Sequence, residues 1–148
     1  MNRAAENMPL PESLIEIRGH NGADYKPLID YQSWRVALMN YTPDLLPEKI
    51  NRMQKHVETD EVFVLLAGRC ILFLGEGEAS VTNIHAVDME LYKLYNVKKG
   101  AWHSHTFSAD ARVLIVENHD TVDANSPFAG LSKSQCDEVV NLTKDLWK

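Results

Sequence analysis

His56 and Glu61 lie close together in MQKHVETDEVFVLLAGRC, residues 53 to 70, directly ahead of the apolar run Val62 to Ala67. An imidazole and a carboxylate that enter one core are costly to bury unless they pair with each other or bind a cation. The first outcome is a structural ion pair, and the second is a metal site. Nearby, Arg52 offers a planar fork that suits a carboxylate on a small molecule, or an acid on the protein surface. In WHSHTF, residues 102 to 107, His103 and His105 are two positions apart and share one strand face.

The elements that must position these groups read as strands. In KINRMQKH, residues 49 to 56, alternation puts Ile50, Arg52, Gln54 and His56 on one face; in EVFVLL it groups Glu61, Phe63 and Leu65. With both faces turned into a barrel, His56 and Glu61 meet near one mouth and apolar packing lies beyond them. Further strand-like segments are WRVALMNY (34 to 41), RCILFL (69 to 74), MELYKLYNV (89 to 97) and ARVLIVEN (111 to 118), separated by TPDLLP, AG, GEGE, KKGA and SAD. Seven or eight short strands at near-regular spacing predict an all-β sandwich or barrel.

The ends of the chain differ from this middle. Residues 1–30 form a polar, Pro- and Gly-containing arm with one strand candidate, SLIEI, and residues 31–122 hold the barrel. Residues 123–148 supply a loop and one helix, expected over 132 to 147, where Ser132 and Gln135 make a capping box. Cys136, Val139, Val140, Thr143, Leu146 and Trp147 form its apolar stripe. Cys70 and Cys136 read as buried thiols in a core strand and a core helix.

Composition removes several function classes. At 148 residues with a net charge of -6, and no basic cluster beyond Lys98 and Lys99, the chain is a poor partner for nucleic acid. No long apolar run predicts a membrane span, and no apolar leader precedes the first prolines, so a cytoplasmic location is expected. There is no GxSxG elbow, P-loop, GxGxxG or HExxH; GEGE reads as an acidic hairpin turn.

The spacing Gln54-x-His56-x4-Glu61-x6-Gly68 resembles the first cupin motif, and VKKGAWHSH, with Gly100 and His103, resembles the second. Gln54 stands where the first motif's leading histidine would be. The resemblance implies a double-stranded β-helix, a jelly-roll barrel, with His56, Glu61 and His103 as ligands of one divalent transition metal: Fe, Zn, Mn or Ni. Gln54 occupies the fourth family position, and Arg52, Gln54 and His105 are the expected contacts for a small polar or anionic molecule. The functions that follow are a metal-dependent oxygenase, isomerase or lyase, a non-catalytic binding or sensing protein, or a metal-free barrel acting through a homodimer surface. The polar interior at Arg52, Gln54, His56 and Glu61 favours a site over a scaffold, because apolar groups there would stabilise a purely structural barrel more.

Overall fold

Alternating burial along the chain builds two antiparallel sheets. The computed structural model describes residues 9–148. Its strands are β1 (Asp24–Tyr31), β2 (Trp34–Asn40), β3 (Arg52–Gln54), β4 (Glu61–Ala67), β5 (Cys70–Gly75), β6 (Ile84–Asp88), β7 (Leu94–Val97), β8 (Trp102–Phe107), β9 (Arg112–Asn118) and β10 (Phe128–Gly130), followed by α1 (Lys133–Leu146). One sheet runs β1-β2-β9-β4-β7 and the other β10-β3-β8-β5-β6. The expected all-β jelly roll with one C-terminal helix is present.

Two cores flank the second sheet. Between the sheets lie Ala37, Met39, Phe63, Leu65, Cys70, Leu72, Phe107, Val113 and Ile115, supplied at every second position of their strands. The outer face of the second sheet, with Met53, Ile71, Phe73 and Trp102, is covered by Val139 of α1, and Leu142 and Trp147 pack at its margin. β5 is therefore buried on both faces, which explains its unbroken apolar sequence.

Several sequence expectations need correction. SLIEI is not a strand: Leu14 and Ile17 are 80% and 69% exposed, and the segment pairs with neither sheet. Pairing starts instead at Asp24, inside the segment expected to be an arm, whose first eight residues lie outside the described residues. KINRMQKH shortens to the three residues of β3, because Pro47–Lys49 turns into a 3-10 helix. Ile50 consequently joins the outer core with Met53 and does not share the interior face. MELYKLYNV is strand only over Leu94–Val97, since Tyr92 adopts a positive φ of 63° that breaks extended geometry. Cys136 is only half-buried, and Leu146 is exposed, whereas Leu142 joins the packed stripe of α1. β1, β6 and β10 were not among the expected strands; β10 adds only three residues beside β3.

Candidate metal centre and cavity

The loop between β3 and β4 carries His56, and Glu61 opens β4. Asp60 locks this loop to the turn before β8, where its Oδ1 accepts the Lys99 amide at 2.7 Å and its Oδ2 accepts Asn96 Nδ2 at 3.0 Å. The amide of Gly100, at φ 81°, donates to the His56 carbonyl at 2.8 Å. These bonds bring two distant sequence segments together, and His103 on β8 completes the cluster. His56, Glu61 and His103 are 8%, 6% and 5% exposed.

Both imidazole Nε2 atoms lie 2.9 Å from the same oxygen, Glu61 Oε2. Their outward nitrogens settle the proton positions. His103 Nδ1 is 3.1 Å from the Ala101 carbonyl, which can only accept, so Nδ1 carries the hydrogen. For His56, Asn125 Oδ1 accepts from the Val122 amide and from Ser126 Oγ at 3.2 Å, leaving Ser126 Oγ to accept from His56 Nδ1 at 2.7 Å. With each imidazole neutral, two bare nitrogen lone pairs and a carboxylate oxygen point at one another. Such a set is repulsive unless a proton or a metal cation stands among them. The three residues are the group among the described residues whose donor atoms lie close enough to hold one ion, within 4.8 Å of one another.

The same convergence shapes the electrostatics. Burial opposes ionisation of Glu61, but the hydrogen bonds and charges of His103 and His56 win and hold its carboxyl below the usual range. Against its own burial, the Glu61 bond and charge raise His103 above 6.5. His105, one pleat deeper, is different. Burial lowers it to about 4, and neither ring nitrogen has a partner among the described residues. Its ring sits between Phe63 and Phe107, with centroids 5.9 and 5.1 Å away.

A cavity of about 260 Å³ opens beside the triad, with Phe63, Met39 and Ile115 as its apolar wall. A second, outer groove of about 660 Å³ runs past β3 and shares Gln54, His103 and His105 with that cavity. Gln54 is cross-strand partner to His103 and donates to the Ser126 carbonyl at 3.0 Å. Arg52 is exposed, lines the outer groove and stacks 3.9 Å above the Phe128 ring.

Solved structures share this arrangement of strands. The capsular polysaccharide assembling protein CapF from Staphylococcus aureus matches with a TM-score of 0.55 at 11% identity, over 77% of this chain and 34% of that one. Pac13 from Streptomyces, solved with uridine, matches with a TM-score of 0.52 at 15% identity, over 75% of this chain and 81% of that one. A cupin-2 domain containing protein from Shewanella frigidimarina gives 0.49 at 15% identity, over 73% and 88%. CapF and Pac13 have the cupin fold. So does this chain. No protein-family model and no curated protein sequence matches it. At these identities the likeness covers the fold alone, and the chemistry of this cupin barrel has to be read from its own side chains.

Sequence reasoning missed much of the cavity. Glu117, Tyr25, Arg35 and Ser126 all line it. Glu117 carried a signal: it follows Val113 and Ile115 at strand period two, so it had to share their inward face. Tyr25 and Arg35 needed the pairing of β1 with β2 to be known. Ser126 lies in a loop and had no periodic signal at all.

Proposed function

We propose that this cupin holds one divalent transition metal on His56, Glu61 and His103 and uses it on a small polar molecule bound in the adjoining cavity. The observation that carries this reading is the convergence of two bare imidazole nitrogens on one carboxylate oxygen, with both outer nitrogens already committed to protein acceptors. Hydrogen bonds on the outer nitrogen of a metal-ligating histidine fix its tautomer and aim. Two nitrogens and one oxygen suit Fe, Mn, Ni or Zn, and three protein ligands leave positions for a substrate atom, as in catalytic rather than closed structural sites.

When bound, the metal would supply Lewis-acid polarisation of a substrate oxygen. The chain supplies the rest. Ser126 and the Ala101 carbonyl hold the imidazoles in register, while Phe63, Met39 and Ile115 exclude water from one wall and so strengthen the local electrostatics. An oxygenase, an isomerase or a lyase all fit that arrangement.

The test is elemental analysis of untagged protein, as purified and after incubation with Fe(II), Mn(II), Ni(II) or Zn(II) followed by desalting. One equivalent of one of these metals is expected, and its loss in a Glu61→Gln variant that remains folded. Wild-type protein that retains none of them after reconstitution overturns the proposal.

A further inference from the structure

The wall of the cavity opposite the histidines is a row of charged side chains set by strand register. Arg35 on β2 pairs with Glu117 on β9, and continuation of the Val62–Val116 pairing sets Glu61 on β4 opposite Glu117. Two carboxylates facing each other across neighbouring strands, both inside the barrel, destabilise a sheet. Glu61 is compensated by its histidines. Glu117, only 7% exposed, is compensated by Tyr25, whose hydroxyl donates to Oε1 at 2.5 Å, and by Arg35, whose Nη1 lies 3.8 Å from that same oxygen.

Both contacts fall on Oε1. Among the described residues nothing donates a hydrogen bond to Oε2 of Glu117, although the side chain lines the cavity. Arg35 is meanwhile occupied elsewhere: its Nε donates to Asp30 at 3.1 Å, its Nη1 to the Thr121 carbonyl at 3.3 Å, and its Nη2 to the His119 carbonyl. The cavity lining therefore presents a carboxylate oxygen that no donor meets, beside an Arg35 whose three nitrogens each already donate to the protein, and Asp123 adds another acid at its mouth. A ligand that donates hydrogen bonds fits this wall, and one that brings a carboxylate meets repulsion.

We propose that Glu117, positioned by Tyr25 and Arg35, is a hydroxyl-recognition subsite that selects small neutral polyhydroxylated molecules for the metal cavity, an inference that rests on the function proposed above. One hydroxyl of the ligand donates to Glu117 Oε2 while another part of the molecule faces the triad. In the metal-free cavity, where no cation draws in the acid's carboxylate, a charge-assisted hydrogen bond made by the polyol, set against added like-charge repulsion for its acid, separates the two by at least about tenfold in affinity, equivalent to about 1.4 kcal/mol.

Matched probes test this. Xylitol and erythritol, with their acids xylonate and erythronate, are titrated calorimetrically into full-length protein loaded with the metal it retains best, and into the metal-stripped protein. Metal-stripped wild type is expected to bind at least one polyol about tenfold more tightly than its acid, a preference that the loaded protein narrows because the acid's carboxylate also meets the metal. Glu117→Gln, which keeps an acceptor for Tyr25 but turns an NH2 toward the cavity, is expected to lose or reverse that preference at unchanged metal content. Equal or tighter binding of the acids by metal-stripped wild type, no saturable binding of either polyol, or an unchanged preference in metal-stripped Glu117→Gln overturns the subsite. If Glu117→Gln fails to fold, the wild-type comparison decides alone. Failure of the metal proposal is read separately, from metal content; a polyol preference that persists in metal-free protein then supports the subsite without the metal.

Discussion

His103 and His105 are the same residue type on the same strand face, yet their surroundings give them opposite chemistry. His103 has Glu61 on one nitrogen and the Ala101 carbonyl on the other, whereas His105 has only aromatic rings and burial. His103→Ala should therefore abolish metal retention, measured by elemental analysis, and His105→Ala should leave most of it. Equal loss in both would show that the ligand set is wrong. pH should act through the same residue. Because Glu61 raises His103 above its ordinary 6.5, the metal-free protein draws stability from the protonated imidazole below that value and loses it as pH rises through the raised one. Metal competes with that proton, so affinity should climb in the same direction. The gap in melting temperature between metal-loaded and chelated protein should be wider at about pH 8 than at about pH 6. A gap that narrows with rising pH would contradict the assignment.

At the scale of elements, the turn between β4 and β5 fixes how the two sheets meet. Gly68 sits there at φ +69°, and a Cβ would lie 2.6 Å from the backbone of Ala111. Strain and collision act together, because the obstacle is backbone that cannot rotate away. Gly68→Ala should cost about 1–3 kcal/mol in chemical denaturation, with the m-value unchanged. A loss within a few tenths of a kcal/mol would show that the turn relaxes freely. The C-terminal helix is held by simpler means. Ser132 Oγ accepts the Gln135 amide and Gln135 Oε1 accepts the Ser132 amide, while Gln135 Nε2 donates to the Val81 carbonyl at 2.8 Å and fastens the cap to the loop between β5 and β6. Here a local sequence signal and a tertiary anchor coincide in one residue.

Across the whole molecule, the triad spans the two sheets. Glu61 belongs to the sheet of β4, His103 to that of β8, and His56 to the loop that leaves β3. An ion held by all three therefore cross-links the sandwich near one end and stabilises the native state alone. Binding at a hundredfold above the dissociation constant is worth about 2.7 kcal/mol. A chelator should lower the melting temperature by several degrees, and re-addition of the metal should restore it. An identical melting curve with and without chelator, in protein shown to carry the ion, would refute the cross-link.

By itself the sequence determined the architecture, and its resemblance to the cupin motifs named the three residues that the fold brings together. Period-two burial in EVFVLL and ARVLIVEN marks strands because alternate side chains must face one core, the unbroken apolar run RCILFL marks a strand covered on both faces, and the capping box marks α1 because it satisfies that helix's first amides. His56 and Glu61 were legible because polar groups that enter a core need a partner. What remained hidden depended on neighbours far along the chain. SLIEI has strand composition but stays exposed and unpaired, while β10 has little strand composition and pairs because Gln54 and Met53 lie beside it. The proton positions of the histidines are decided by Ser126 and Ala101, and the charge row Arg35, Glu117, Glu61 by the registers of β2, β9 and β4. Local pattern reports which face a side chain occupies. Only the packed sheets decide what it meets there, because hydrogen bonds and charge act across a few ångströms of space, whatever the separation in sequence.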